Sequence, residues 1–190
     1  MKKKIVLMLT VIMLIGLAGC GKNHINIKET GTSDNNEQMV QNIYENKRTE
    51  VKQKISEIKE RLPETSAEDK GTCGSKAKWY YKDNTLIIYG EGVITEDTWH
   101  KSNIVINTVV IDSGITKLGN NMFSGLGSEV GKNIENFYIA DGLEEIGSST
   151  FVNCDCLSEI VLPPSLYFIW LLYTSPSRRD MRRYRMPSSA

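Results

Sequence analysis

The sequence predicts a repeat solenoid with one short β-strand per coil, preceded by a β-hairpin cap and an N-terminal amphipathic helix. The main observation is an internal repeat, because "VVIDSGITKLGNNMF" at 109–123 returns as "FYIADGLEEIGSSTF" at 137–151, displaced by 28 positions. A third copy starts at Leu157 and follows at a displacement of 23. Repeats with a period in the twenties form coils that must stack, since one coil cannot bury its apolar residues alone.

Each copy has the features of one solenoid coil. The triplets "VVI", "FYI" and "IVL" are β-branched and aromatic, as in a short strand whose side chains alternate between two faces. Gly114 and Gly142 mark turns, and Phe123 and Phe151 close the coils. The five extra residues of the first spacing fall in "SGLGSEVGKN", a predicted loop insertion. The residues predicted to face the core are Val109, Ile111, Phe137, Ile139, Ile160 and Leu162.

Residues 71–105 are predicted to form a cap before the repeats, which occupy residues 106–169 with the third incomplete. "AKWYY" and "TLIIY" are typical of strands, and the polar triplet Lys82-Asp83-Asn84 between them indicates a tight turn. The cap is therefore expected to be a hairpin that covers one end of the solenoid.

The repeat pattern I-x-x-V-x-I-x-x-x-I-x-x-L-G-x-x-x-F, with "LSEIVLPPSL" in the third copy, resembles the BspA-type leucine-rich repeat of bacterial surface proteins. The upstream segment "GTCGSKAKWYYKDNTLIIYGEG" also resembles the segment that commonly precedes those repeats. The resemblance covers about residues 71–169. It implies a leucine-rich repeat solenoid and a place on a bacterial surface.

The N-terminus has the layout of a secretory signal peptide. Three lysines at 2–4 precede an apolar run over 5–18, which is shorter than the roughly 20 residues that a membrane-spanning helix needs. The run ends in "LAGC", which resembles the lipobox of bacterial lipoproteins. That resemblance implies removal of residues 1–19 and lipid attachment at Cys20, and two acyl chains give stable anchoring. An ordinary signal peptide with a chance cysteine is the alternative.

A tether, a helix and a linker are predicted between the anchor and the cap. Residues 20–36 are polar and without periodicity, as in a flexible tether, and residues 63–70 form the linker. Residues 37–62 are predicted to be either a solvated stalk helix or a short coiled coil that forms a weak homodimer, although Lys47 interrupts its seam. The helical spacing is carried by Val40, Ile43, Tyr44, Val51, Ile55, Ile58 and Leu62.

The charge distribution argues against binding to nucleic acid. The chain of 190 residues has no formal net charge, but residues 20–170 carry 15 basic and 22 acidic residues. A body that is net negative and has no basic stripe lacks the electrostatic footprint of a nucleic-acid-binding protein.

No catalytic site, metal site or cofactor is predicted. Beyond Cys20, the cysteines are Cys73, Cys154 and Cys156, and the two histidines lie in unrelated segments. A zinc site needs three or four converging ligands. Cys154 is interpreted as a small buried residue at the end of its coil, and the glycines match no phosphate-binding loop.

The last segment, 170–190, differs from the rest of the chain. It holds five of the seven arginines, and the repeat pattern fails after Ile169. The segment resembles translated sequencing-adapter read-through, so we expect that it is not native and that further repeats follow in the natural protein. The alternative is a genuine basic tail for anionic polymers or lipid headgroups.

These features lead to the functional expectation. As the resemblance implies for adhesion-type relatives, we expect a lipid-anchored cell-surface protein that binds an extracellular protein or a glycan and performs no catalysis. Two alternatives stay open, which are a targeting module of a truncated cell-wall hydrolase or peptidase and a structural spacer. The candidate binding face is the outer face of the strand sheet, lined by Thr108, Val110, Asn136, Tyr138, Glu159 and Val161.

Overall fold

The computed structural model describes residues 33–102, 104–124 and 131–169, except for the side chains of 33–37 and 101–102. Its elements are one long helix, short 3-10 turns and eight strands joined through β3. In chain order they are α1 (Ser33–Arg61), β1 (Asp69–Thr72), β2 (Lys76–Lys82), β3 (Thr85–Ile94), β4 (Thr108–Ile111), β5 (Ile115–Leu118), β6 (Asn136–Ile139), β7 (Glu145–Ile146) and β8 (Phe168–Ile169).

The strands form two ladders, which confirms the predicted repeat solenoid. In the first, here called sheet A, β1, β2 and β3 pair antiparallel, and β3, β4 and β6 then pair in parallel. The third coil joins sheet A through a parallel bridge between Phe137 and Ile160. In the second, sheet B, the end of β3 pairs in parallel with β5, followed by β7 and β8. Each coil thus adds one rung to both sheets.

The predicted hairpin is confirmed as β2 and β3. Its turn is formed by Asp83 and Asn84, which both have positive φ angles, of 47° and 56°. Two consecutive residues in this region form the type I′ turn, whose twist matches that of paired strands. Asp and Asn tolerate the left-handed conformation because their short side chains hydrogen-bond locally.

The hairpin is also the first coil of the solenoid, so the boundary predicted at 105/106 divides a continuous ladder. Leu86 pairs with Val109, and Ile88 pairs with Ile111. Trp99 occupies the coil-closing position, because its ring stacks on Phe123 with centroids 5.4 Å apart. The repeat is hard to recognise in the sequence of this coil, because the pairing shifts register at Gly92/Val93 and a tryptophan stands in place of the phenylalanine.

The core between the two sheets includes the residues predicted to face inward. Ile160 is partly buried, whereas the others predicted to face the core are buried. Phe137 lies edge-on between the rings of Phe123 and Phe151, at 4.9 and 5.1 Å. Each such aromatic pair adds about 0.5–1.5 kcal/mol beyond the burial of its area. The stack of aromatic rings therefore connects successive coils.

Glycines allow the coils to approach closely at the predicted turns. A Cβ at Gly114 would collide with the backbone carbonyl of Gly90 in the preceding coil. Gly142, one repeat later, has a φ of 116°, and a Cβ there would collide with the carbonyl of Ser113. Both turns need glycine because backbone meets backbone between neighbouring coils.

The helix α1 packs across the outer face of sheet A, so the prediction of a solvated stalk is wrong. It also begins at Ser33, inside the predicted tether. The Tyr80 hydroxyl donates to the Leu62 carbonyl at 2.9 Å near one end, and the Tyr44 hydroxyl donates to the Leu162 carbonyl at 2.9 Å near the other. The apolar residues between them face this chain's own sheet. The prediction of a homodimer through residues 37–62 stays a prediction.

Candidate interaction surface

The predicted binding face is covered at its centre. Val110, Tyr138 and Val161 lie on the outer side of sheet A, as predicted, but all three pack in one cluster with α1. Val110 is fully buried, and Tyr138 and Val161 are half-buried. The expectation that these residues are open to a partner is therefore wrong, and their role in binding stays a prediction.

The remaining three residues of that face lie near its margins. Thr108 is half-buried, whereas Asn136 and Glu159 are exposed. Glu159 forms an ion pair with Lys47 of α1, in which Oε1 lies 2.7 Å from the lysine Nζ. The structure therefore does not bring the six residues together as one accessible surface.

The covering by α1 has a signal in the sequence. The outward residues of successive rungs are Ile87, Val110, Tyr138 and Val161, and none carries a charge. Parallel strands that are buried on both faces have continuous apolar runs, whereas strands with one face in solvent alternate between apolar and polar residues. The unbroken triplets "VVI" and "IVL" indicate burial on both sides.

Arg48 is the residue of α1 that sequence reasoning missed. Its side chain is 3% exposed. Its Nη1 donates to the carbonyls of Ile139 at 3.0 Å and Val161 at 2.9 Å, and its Nη2 donates to an Asp141 carboxylate oxygen at 2.7 Å. The planar fork of a guanidinium suits several acceptors at once. Arg48 thus joins the helix to two successive coils.

Further ion pairs surround this contact. Lys52 binds the second Asp141 oxygen at 2.7 Å, and Lys59 pairs with Asp112 at 2.5 Å. Desolvation raises the pKa of Asp141, but hydrogen bonds and charge from Lys52 and Arg48 outweigh it and leave the pKa below its usual value. The carboxylate therefore remains ionised and holds both cations of α1.

The accessible sheet face is the outer face of sheet B. The row that runs across this face is formed by Val93, Lys117, Glu145 and Phe168, which are paired in register. Val93 is 38% exposed and Phe168 is 41% exposed, and Lys117 and Glu145 form an ion pair at 2.8 Å between them. We call these four residues the sheet B row. It combines two apolar ends with a polar centre.

Two of the three cysteines in the described residues are buried in the core. Cys73, Cys154 and Cys156 carry free thiols, and the first two are buried. Burial raises the pKa of the Cys73 and Cys154 thiols to about 12, so both stay protonated and weakly nucleophilic. The Cys154 thiol lies 3.1 Å from the Phe123 carbonyl of the preceding coil. This position confirms that Cys154 is a buried residue at the end of its coil.

Several other predicted features lie partly or wholly outside the residues that the structure describes. Cys20, the signal peptide and residues 170–190 lie outside the described residues, as does 125–130 of the predicted loop insertion. Within 33–102, 104–124 and 131–169, no group of three or more metal-ligating side chains converges. In the same ranges, no helix has the length and apolarity required to cross a membrane.

Comparisons with known proteins identify the repeats. A model of the BspA type leucine rich repeat region (6 copies) matches residues 87–170, starting within β3. Among solved structures, a leucine-rich repeat protein from Eubacterium ventriosum ATCC 27560 matches with 25% sequence identity and a TM-score of 0.38. The match covers 45% of this chain and 23% of that protein. No curated protein matches the chain.

We predict that Arg48→Met destabilises the protein by about 1–3 kcal/mol, because the Ile139 and Val161 carbonyls lose their charged donor. Arg61→Met is the matched control, since Arg61 is an exposed arginine at the end of the same helix. Urea unfolding followed by circular dichroism measures both changes. Equal unfolding free energies for the two variants would contradict the assigned role of Arg48.

Proposed function

Because residues 87–170 are a BspA-type leucine-rich repeat region, we propose that this chain is a lipid-anchored bacterial surface protein that binds an extracellular protein or glycan through the outer face of sheet B. The observation that supports this choice of face is the position of α1. The helix covers the outer face of sheet A, whereas the sheet B row remains accessible. Repeat solenoids use such extended faces for recognition.

The chemistry of the sheet B row fits recognition. Phe168 supplies an aromatic surface, and Tyr167 beside it is 64% exposed. Aromatic residues are enriched in binding surfaces because they bury a large area with little loss of conformational entropy. The Lys117–Glu145 pair at the centre offers polar groups of both signs, which gives specificity more than affinity.

The full chain with Cys20→Ser, applied to a printed array of glycans and extracellular-matrix proteins, tests this proposal. We expect at least one ligand, and we expect Lys117→Glu to weaken its binding about tenfold or more, because the new carboxylate repels Glu145 and reverses the local charge. Lys70→Glu on β1 is the control, since Lys70 is also an exposed lysine on a strand. Equal loss of binding in both variants would contradict the face assignment, and an array without any ligand would favour the spacer or targeting alternative.

The anchor has its own test. We predict that Cys20→Ser moves the protein from the detergent phase to the aqueous phase in Triton X-114 partitioning and abolishes labelling with palmitate, because the acyl chains are lost. Cys156→Ser is the control, since Cys156 is an exposed thiol in the repeats. If Cys20→Ser partitions like the parent protein, lipid attachment at Cys20 is refuted.

A further inference from the structure

Sheet A shows how the rungs of these repeats bind a helix. α1 runs across successive rungs, from β2, where the Tyr80 hydroxyl reaches the Leu62 carbonyl, to the rung of Leu162, whose carbonyl accepts from Tyr44. Between these two contacts, apolar side chains of residues 51–58 at spacings of three and four pack on the outward residues of the rungs. Successive turns of the helix therefore meet successive rungs of the sheet.

The dimensions of the two structures explain this arrangement. One turn of a helix rises about 5.4 Å, and neighbouring strands lie about 4.8 Å apart. Over three strand spacings the difference adds up to only about 2 Å, which side chains absorb. Sheet B is built by the same stacked coils as sheet A. A helix laid across sheet B would therefore also place one residue of its face on each rung.

The sheet B row has a defined order of chemistry along the stacking direction. Val93 is apolar, Lys117 is cationic, Glu145 is anionic and Phe168 is aromatic, one residue on each rung. Gly92 leaves the surface beside Val93 open, because a Cβ built at this glycine would meet no atom within 4 Å. A matching ligand would carry an apolar group, an acidic group, a basic group and a second apolar group at the spacing of the rungs.

The charged centre of the row is able to accept a second pair of charges. The side chains of Lys117 and Glu145 are 40% and 22% exposed, and an ion pair at this exposure contributes little stability by itself. Asp141 shows that a carboxylate of these repeats binds two cations at once, since Arg48 and Lys52 each lie 2.7 Å from one of its oxygens. Glu145 has the same chemistry.

The row differs from sheet A in the kind of partner that it suits. The outward residues of sheet A carry no charge, and the helix that covers them belongs to the same chain. Permanent interfaces are more hydrophobic than exchangeable ones. A row with two charged rungs out of four therefore suits a separate partner, which complementary charges would select.

We propose that the sheet B row binds an amphipathic helix of an extracellular protein, laid across the rungs as α1 is laid across sheet A. An acidic and a basic residue of that helix, one turn apart, face Lys117 and Glu145, and apolar residues one turn further out contact Val93 and Phe168. This corresponds to contacts at i, i+4, i+7 and i+11 of the partner helix.

The inference rests on the proposed function of this face and narrows its ligand from a protein or glycan to a helix of a protein. The charged groups of glycans are predominantly anionic, so a glycan does not match both Lys117 and Glu145. A helix presents both signs at a separation of about 5–6 Å between the Cβ atoms of i and i+4, close to the strand spacing.

Three synthetic peptides test the proposal against the full chain with Cys20→Ser, labelled with ¹⁵N for NMR titration. Each is an alanine-rich helix of about 20 residues with leucines at i and i+11. Positions i+4 and i+7 carry Glu and Lys in the first peptide, two Lys in the second and two Glu in the third. Exchanging Glu and Lys would be a poor control, because a helix bound in the opposite direction restores the match.

We expect the Glu/Lys peptide to bind at least about fivefold more tightly than the other two, with amide shifts at Val93, Lys117 and Glu145. In Lys117→Glu, the row has two carboxylates, so the two-Lys peptide becomes the tightest ligand. Lys70→Glu on β1 leaves the order unchanged, since Lys70 is an exposed lysine outside the row. Circular dichroism verifies that both variants are folded.

The proposal is overturned if the three peptides bind alike, or if Lys117→Glu keeps the order of the parent chain. It is also overturned if the amide shifts lie in β4 and β6, since the peptides would then displace α1 from sheet A. The proposed function fails separately. A glycan as the array ligand that Lys117→Glu weakens would refute the helical partner alone, whereas an array without any ligand would contradict the proposed function.

Discussion

Arg48 holds the amphipathic helix and the repeat coils in one structure, because its guanidinium donates to carbonyls of two successive coils and to Asp141. The strands of each coil have at most four residues after β3, and those of sheet A carry apolar residues on both faces. The core supplies one covering layer and α1 supplies the other. Most of the stability of a helix in a protein comes from the packing of its apolar face, so the dependence is mutual.

The covering helix decides which surfaces remain for recognition. Its residues Val51, Ile55 and Ile58 cover the outer face of sheet A. Four basic side chains of the helix also form ion pairs with carboxylates around that face. Within the described residues, the outer face of sheet B is therefore the sheet face that remains accessible. This face suits a ligand because it combines apolar side chains with a pair of opposite charges.

The periodicity of the repeats was sufficient to predict the solenoid, the inward residues and the turn glycines, because each is set by stacking between neighbouring coils. The hairpin turn at Asp83-Asn84 followed from local turn chemistry. The cover by α1 was missed because its contacts with sheet A join residues that are far apart in sequence, such as Arg48 and Ile139, and nothing local in 37–62 identifies what the helix packs against. The first coil was missed because Trp99 replaces the expected phenylalanine. Because the cover by α1 was missed, the binding face was predicted on sheet A. Because the first coil was missed, the predicted boundary at 105/106 fell inside a continuous ladder.

Amide hydrogen exchange of the native protein tests the central claim most directly, which is that α1 is an integral layer of the solenoid. If it is, the amides of Val51–Ile58 have opening free energies within about 1–2 kcal/mol of those of β4 and β6, because helix and sheet open together. Exchange of Val51–Ile58 at the rate of a solvated helix, with β4 and β6 still protected, would show that α1 is a stalk and that the outer face of sheet A is open after all.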